Sequence, residues 1–298
     1  MIGYGCVGRT DPGRVRKNNE DAFVATRVQD TPWLLLAAID GVGGYEGGEV
    51  AADITARTLQ SYVAAHTGDT PLDLMKKAFF EANDAIRAEQ ALRPELESMA
   101  CVASAALVDL ERKYAHVVHV GDSRIYLYGP DGLRKITHDH SLVGYLEDHG
   151  DITEFQAMHH PQRNLIDRCL GDAHRENGED GFLESGIYPI PATGKLLLCS
   201  DGLTDLVTAR QITEILTSEA DTAGKADALV DAANALGGKD NITVVLLELS
   251  PEEPEPEVPA PAKKTRCELF RWLGRRKKRI KKKWIRICSP EAGGCGWP

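Results

Sequence analysis

The segment WLLLAAIDGVGGYEGGE, residues 33–49, joins an apolar run to a glycine-rich turn, and Asp40 lies at the junction. Because the run is apolar at consecutive positions, we predict a strand buried on both faces in the centre of a sheet. Residues 47–66 are predicted to be a helix, since one helical stripe carries several apolar side chains. These are Val50, Ala51, Ile54, Tyr62 and Ala65. Asp40 is therefore expected where a buried strand meets a flexible turn.

Further strands and helices follow from the same patterns. Strands are predicted over 21–28, 99–110, 113–121, 124–129, 194–202 and 241–249. The three strands between 99 and 129 are joined by very short turns, which predicts antiparallel pairing with Asp122 in a hairpin turn. Helices are predicted over 71–91, capped by the Thr70 hydroxyl, and twice within 209–236, while 138–181 looks irregular. Grouped strands and helices without regular alternation predict an α+β layered domain over residues 1–250.

Composition divides the 298-residue chain into three parts. Residues 1–262 carry 22 basic and 43 acidic side chains, a net charge of −21, which disfavours nucleic acid as a partner of this body. Residues 251–262, PEEPEPEVPAPA, are predicted to be an extended Pro/Glu-rich linker. Residues 263–298 hold 13 of the 35 Lys and Arg and two acids, a net charge of +11 interleaved with aromatic residues. This basic tail is predicted to be separable from the body.

Cysteine spacing and hydropathy set the expected location. The seven cysteines are odd in number and lack CxxC spacing, so neither a disulfide framework nor a thiolate zinc site is indicated. The N-terminus lacks a signal-peptide pattern, and no run approaches the ~20 apolar residues of a membrane span. We therefore expect a reducing, cytoplasmic environment.

Carboxylates recur wherever a predicted strand meets a turn. They are Glu20, Asp21, Asp40, Asp122, Asp201 and Asp240. Taken singly, each is better explained as a turn residue or helix cap. If the strand ends share one edge of the sheets, however, the carboxylates would repel one another unless cations neutralised them. An all-oxygen set suits Mg²⁺ or Mn²⁺, and glycine at position 41 would let its backbone carbonyl join the ligands.

Seven segments occur in an order and spacing that identify a family. They are RVRKNNEDAF, AAIDGVGGYEGGEVAA, HVGDSRIYL, ITHDHSLV, HHPQRNLIDRCLG, LLLCSDGLTDLV and GKDNITVVLLEL, spread over residues 14–249. Together they resemble the bacterial branch of the metal-dependent protein phosphatases of the 2C type. The resemblance implies a four-layer αββα sandwich of two antiparallel sheets flanked by helices. It also implies hydrolysis of phosphoserine and phosphothreonine in proteins with two Mn²⁺ or Mg²⁺ ions, and a third ion as a further option.

The resemblance assigns a role to each matched residue. Asp40 would bridge two ions, with the Gly41 carbonyl on one of them. Asp201 and Asp240 would complete the pair, Glu20 and Asp21 would act directly or through water, and Asp122 would help to bind a third ion. Arg16 would bind the substrate phosphate and, with Asp40, form the catalytic pair, while a water between the ions would attack phosphorus in line as hydroxide.

Three positions depart from the family pattern. Val42 stands where some relatives have a histidine assigned as general acid, and it cannot donate a proton. His138, His140 and His160 could donate by residue type alone and are left out of the catalytic set. Asp167 and Arg168 replace small or apolar residues, which is expected to alter the flap that helps to select substrates.

Other functions remain as alternatives. A nucleotide-binding module is disfavoured because neither GxGxxG nor GxxxxGK[ST] occurs. A catalytically silent phosphatase fold that binds or signals is disfavoured because the three central aspartates are present. The expected partners are phosphoprotein substrates and an opposing Ser/Thr protein kinase. For the basic tail we expect an anionic inner-membrane surface or an acidic protein rather than nucleic acid, against the plain alternative of a disordered charge run.

Overall fold

Two five-stranded antiparallel sheets form the centre of the protein in a computed structural model that describes residues 3–42, 47–176, 179 and 181–250. The first sheet has the order β1-β10-β9-β6-β7 and the second β2-β3-β4-β5-β8. The strands are β1 (Gly3–Asp11), β2 (Ala22–Arg27), β3 (Trp33–Gly41), β4 (Cys101–Asp109), β5 (Tyr114–Val120), β6 (Arg124–Gly129), β7 (Gly132–Lys135), β8 (Glu184–Pro189), β9 (Lys195–Cys199) and β10 (Ile242–Ser250). These residues belong to one compact unit, Met1–Glu252.

Helices cover the outer face of each sheet. They are α1 (Gly48–Ala65), α2 (Pro71–Leu92), α3 (Leu142–Asp148), α4 (Glu154–Met158), α5 (Asp201–Thr204), α6 (Ala209–Leu216) and α7 (Thr222–Ala235). Buried side chains of α1 and α2 pack against the second sheet, and those of α6 and α7 against the first. A third apolar cluster fills the space between the sheets. The layers are therefore α, β, β and α, as the sequence resemblance implied.

Strand β3 is buried on both faces because its two sets of alternating side chains enter different cores. Leu35 and Ile39 pack with α1 and α2, whereas Leu34 and Leu36 pack between the sheets. Such a strand has no solvent face, which explains the continuous apolar run in the sequence. The prediction of a central strand before Asp40 is confirmed, since β3 pairs with β2 on one side and β4 on the other.

Strand register brings one end of both sheets together. In the second sheet the start of β2, the end of β3 and the end of β5 share an edge, since Ala22 pairs with Ile39 and Ala103 pairs with both Ile39 and Val120. In the first sheet the end of β9 lies beside the starts of β6 and β10, because Cys199 pairs with Arg124 and Val244. Residues 121–123 connect these two edges. All the strand-to-turn junctions that carry the predicted carboxylates therefore meet at one end of the sandwich.

The prediction of a hairpin turn at Asp122 is wrong. Both edges of β5 are occupied, by β4 and β8, and β6 pairs instead with β7 and β9 in the other sheet. Gly121 has φ +104 and passes so close to the Val102 side chain that a Cβ would lie 2.1 Å from it. The Ser104 hydroxyl donates to the Ser123 carbonyl and fixes the departing chain. A three-residue link looks the same in a sequence whether it closes a hairpin or crosses between sheets.

Two details of the predicted helices also differ. The buried stripe of α1 runs through Gly48, Ala51, Ala52, Thr55, Ala56, Leu59 and Val63, so it is rotated from the predicted stripe and Ala65 is exposed. Small residues face the sheet because α1 packs closely on it. Thr70 occupies the N-cap of α2 but donates its hydroxyl to the Asp73 carboxylate at 2.6 Å instead of accepting from the backbone. Strands β1, β7 and β8 and helices α3 and α4 were not predicted.

Within the described residues, none of the helices combines the length and the apolar composition that crossing a membrane requires.

Candidate metal centre

Six carboxylates lie at the shared end of the two sheets. Glu20 and Asp21 precede β2, Asp40 is next to last in β3, and Asp122 lies between β5 and β6. Asp201 follows β9 as the first residue of α5, and Asp240 lies just before β10. Each position is set by a strand that is held in register by its neighbours, so the convergence follows from the topology and not from local turn chemistry.

An open cleft at this end gathers most of the predicted site. Its walls include Arg16, Glu20, Asp40, Gly41, Asp122, Asp201 and Asp240. Asp21 is not part of these walls. It lies deeper, where the Ser200 hydroxyl donates to its Oδ2 at 2.9 Å, while its buried Oδ1 has no hydrogen-bond partner among the described residues. Seven of the eight predicted residues thus share one cleft, and the eighth supports it from below.

Burial and repulsion by neighbouring carboxylates raise the pKa values of five carboxyl groups, those of Glu20, Asp21, Asp40, Asp122 and Asp201. Burial is the largest cause at Asp40, whose pKa lies well above its usual value, and the charges of Asp21 and Asp201 add to it. Asp201 is raised well above its usual pKa for the same reasons. Burial raises the pKa of Asp122 to about 7 and that of Asp21 to about 6. Such a cluster stores negative charge that only protons or cations can offset.

The donor set fits hard divalent cations. Five carboxylates line the cleft, and carboxylate oxygen is the ligand type that Mg²⁺ and Mn²⁺ prefer. The unpartnered Oδ1 of Asp21 is a buried acceptor whose desolvation is not offset by a hydrogen bond. Gly41 brings its backbone against Glu20, since a Cβ there would lie 2.6 Å from the Glu20 carbonyl oxygen. The residues present could therefore hold such ions.

Arg16 lies at the mouth of the cleft. Its Nη2 donates to Asp240 Oδ2 at 2.8 Å, and its side chain is 44% exposed. Its other guanidinium nitrogens make no hydrogen bond to the described residues. An anchored, exposed guanidinium with remaining donors is suited to hold an oxyanion that enters the cleft.

Asn241 and Ser200 support the site, and sequence reasoning missed both. Asn241 Oδ1 accepts from the Glu20 backbone at 2.8 Å, and its Nδ2 donates to the carbonyls of Pro12 and Asn18. It thereby fixes the loop that carries Arg16 and Glu20. Ser200 donates to Asp21 and accepts from the Thr243 backbone. Their position directly beside Asp240 and Asp201 in the sequence was the available signal.

Val42 and Asp167, which depart from the family pattern, lie in different places relative to the cleft. Val42 lines the cleft, and its backbone N–H donates to the Ala100 carbonyl at 3.0 Å. Asp167 donates its backbone N–H to the His140 carbonyl, and its neighbour Ile166 lines the cleft. Asn164 and Ile166 therefore border the cleft, while the flap interpretation of Asp167 and Arg168 stays a prediction. Residues 43–46 of the glycine-rich turn lie outside the described part of the chain.

Two histidines, His119 and His140, use their ring nitrogens for hydrogen bonds within the protein. The side chains of His119, His140 and Glu184 bring possible ligand atoms within 4.8 Å of one another. However, His119 Nδ1 bonds to the Ser104 hydroxyl at 2.8 Å, and its Nε2 lies 3.2 Å from the His138 carbonyl. His140 Nδ1 accepts from the Gly121 backbone, so its neutral ring carries a proton on the other nitrogen. These rings tie the crossing at residues 121–123 to the following segment.

The neighbouring carboxylate Asp139 is paired. Arg124 donates to both of its oxygens, at 3.1 and 2.9 Å from Nε, and also contacts Glu147 at 2.7 Å. Although burial opposes it, the Arg124 charge lowers the pKa of Asp139. Asp139 therefore belongs to a paired network, whereas Asp40, Asp122 and Asp201 line the cleft and form no ion pair with the described residues.

A β-sandwich flanked by helices, with carboxylates converging at one end, defines the class of metal-dependent phosphatases of the 2C type. The sequence model described as protein phosphatase 2C matches residues 13–236. The chain therefore belongs to the protein phosphatase 2C family.

Individual relatives agree with this assignment. The chain is 35% identical over 244 residues to the serine/threonine phosphatase stp of Listeria welshimeri, covering 80% of this chain and 94% of that protein. A crystal structure of the Mycobacterium tuberculosis serine/threonine phosphatase PstP/Ppp matches with a TM-score of 0.72 and 35% identity, over 84% of this chain and all of that one. The PstP catalytic domain in complex with two manganese ions matches with a TM-score of 0.71 and 33% identity, over the same shares.

Proposed function

We propose that this protein hydrolyses phosphoserine and phosphothreonine in protein substrates with the help of bound Mn²⁺ or Mg²⁺. The observation that carries the proposal is the cleft in which Asp40, Asp122 and Asp201 lie together with raised pKa values and without an ion pair to any described residue. The relatives named as serine/threonine phosphatases support the substrate class, and the PstP complex supports the metal.

The proposed ion ligands are the carboxylates of the cleft. Asp40, Asp201 and Asp240 would hold the ions directly with the Gly41 carbonyl, Asp122 would serve a further ion, and Glu20 and Asp21 would act directly or through water. Ions bound there supply a water of lowered pKa and offset negative charge on the phosphoryl group. Asp21 adds charge from below, and Ser200 keeps it oriented.

The proposed role of Arg16 is to hold the phosphate of the substrate. Its ion pair with Asp240 fixes the guanidinium in the cleft wall, and its remaining N–H groups are available to phosphoryl oxygens. Asn241 positions the Arg16 loop through three hydrogen bonds. Val42 offers no proton, so the leaving alkoxide takes its proton from water in the open cleft or from another group.

Metal-dependent turnover tests the proposal directly. The purified protein is expected to hydrolyse p-nitrophenyl phosphate and a phosphothreonine peptide with Mn²⁺, to lose that activity in excess EDTA, and to regain it when Mn²⁺ is restored. Release of phosphate is the measurement. Full activity in EDTA would contradict metal dependence, and metal binding by calorimetry without turnover would favour a silent phosphatase fold.

We further propose that residues 1–250 are the phosphatase domain, 251–262 a linker and 263–298 a targeting tail. The family match ends at residue 236, and about five sixths of this chain covers the whole PstP structure. The tail lies outside the described residues, and its net charge of +11 supports binding to an anionic inner-membrane surface. The phosphatase would then act in the cytoplasm, at that surface, against a Ser/Thr protein kinase in a signalling pathway.

Truncation separates the tail from catalysis. Removing residues 251–298 is expected to change turnover of p-nitrophenyl phosphate by less than about twofold, since a compact domain keeps its own core. The same truncation should abolish co-sedimentation with vesicles containing phosphatidylserine. A large loss of turnover would contradict the division into domain and tail, and vesicle binding that survives truncation would contradict the targeting role.

A further inference from the structure

A second cavity adjoins the carboxylate cleft, and we call it the side cavity. Arg16, Asn164 and Asp240 line both, so the two share a wall. Arg163, Asp205 and Lys239 line the side cavity but not the cleft. A substrate that reaches the cleft therefore passes directly beside these side chains.

The two cavities differ in charge. Five carboxylates and one arginine line the cleft. Three basic side chains, those of Arg16, Arg163 and Lys239, face two aspartates in the side cavity. On a domain with a large excess of acidic residues, a locally basic cavity next to the cleft is a distinct electrostatic environment.

The basic side chains retain hydrogen-bond donors. Arg163 uses Nε to contact Asp205 Oδ2 at 2.7 Å, and its two terminal nitrogens make no hydrogen bond to the described residues. Lys239 is exposed and forms no ion pair within the described part of the chain. An arginine held by its Nε presents its terminal nitrogens as a fork, the arrangement that suits a carboxylate or phosphate.

We propose that the side cavity binds an anionic group of the substrate, either a carboxylate side chain or a second phosphoryl group, close in sequence to the phosphorylated residue. This inference rests on the proposed phosphatase function. An extended peptide advances about 3.3 Å per residue, so adjoining cavities are bridged by about two to four residues. Lys239 and Arg163 are then specificity-determining residues, and peptides with a basic residue at that position are disfavoured.

Matched phosphothreonine peptides test this selection. The full-length protein with Mn²⁺ is given peptides that carry glutamate, glutamine, lysine or phosphoserine two to four residues on either side of the phosphothreonine. Partly exposed charge pairs predict that kcat/KM for the best glutamate peptide exceeds that for its glutamine counterpart by about three- to tenfold. Lys239→Ala should bring this ratio close to one. Lys17→Ala, which removes an equally exposed charge from the Arg16 loop outside both cavities, should preserve it.

The outcomes separate this inference from the function on which it rests. Faster dephosphorylation of the phosphothreonine in the phosphoserine peptide than in the glutamate peptide assigns the cavity to a second phosphoryl group, and the opposite order of these rates assigns it to a carboxylate. Loss of the preference in high salt also supports the proposal, because the contacts are exposed. Equal kcat/KM for all peptides, or an unchanged ratio in Lys239→Ala, would overturn it while leaving phosphatase activity intact. Absence of any phosphate release would instead overturn the proposed function.

Discussion

Replacing Asp40 with asparagine is expected to lower Mn²⁺-dependent turnover by about a thousandfold or more, equivalent to about 4 kcal/mol of transition-state stabilisation. Asp40 is next to last in a strand that is buried on both faces, and it lies among the charges of Asp21, Asp122 and Asp201, so no other carboxylate can take its central position. Asparagine keeps the shape but loses the negative charge that a shared cation ligand must supply. Initial rates with p-nitrophenyl phosphate over a series of Mn²⁺ concentrations measure the effect.

Two controls make this result interpretable. Asp53→Asn removes an exposed carboxylate from α1, where it pairs with Arg57, and should leave turnover unchanged. Circular dichroism and thermal unfolding should show that Asp40→Asn is folded. A wild-type rate in Asp40→Asn, at any Mn²⁺ concentration, would contradict the assignment of Asp40 to the centre of the site.

Replacing Asp201 with asparagine is expected to stabilise the metal-free protein even though it removes activity. Burial and neighbouring carboxylates raise the pKa of Asp201 well above its usual value, so the ionised group opposes folding. A carboxyl group with a raised pKa contributes stability below its unfolded pKa, and that contribution is lost as the pH rises through its folded pKa. With Asp21 raised to about 6 and Asp122 to about 7, metal-free wild-type protein should lose stability from about pH 4 to above pH 7.

Thermal unfolding in EDTA measures this effect. At pH 8 the Asp201→Asn variant should unfold about 4–8 °C above the wild type, corresponding to about 2 kcal/mol. The difference should shrink at pH 5, where the raised pKa values of Asp21, Asp122 and Asp201 favour their protonated forms, and Mn²⁺ should stabilise the wild type more than the variant. Asp131→Asn, an exposed aspartate without an ion pair among the described residues, should show no such pattern. A variant less stable than the wild type at pH 8 in EDTA would contradict the repulsion argument.

Strand patterns and the family order of motifs together predicted the end of the sandwich at which the carboxylates meet. The apolar run before Asp40 and the closing strand after Asp240 are buried on both faces, and such strands leave a plain signal in the sequence. Because each carboxylate follows or precedes a strand, the edge of the sandwich was predictable once the family order of motifs was recognised. Asp21 was predicted as part of the site. Its position beneath the cleft depends on packing against residues distant in the sequence, such as Ser200, and the spacing of the motifs does not predict that packing.

Features that depend on contacts between distant parts of the chain could not be predicted. The crossing at Asp122 is decided by β8, which occupies the free edge of β5 from more than sixty residues away. Asn241 fixes a loop 221 residues earlier, and its sequence context suggested only a turn. The side cavity brings together Arg16, Arg163 and Lys239 from three separate regions of the sequence. The net charge of the whole domain therefore could not predict the local charge of this cavity.

The crossing between the sheets gives the site a mechanical role. Asp122 lies on the crossing itself, Asp40 belongs to one sheet, and Asp201 follows a strand of the other. Ions held by all three would link the two sheets at the end where the carboxylates meet. Separation of the sheets at this end would then require release of the ions, so ion binding would stabilise the closed sandwich. Amide hydrogen exchange of residues beside Gly121 and Cys199 should then slow as the ions bind. The rigidity of this end would follow the divalent-ion concentration around the protein.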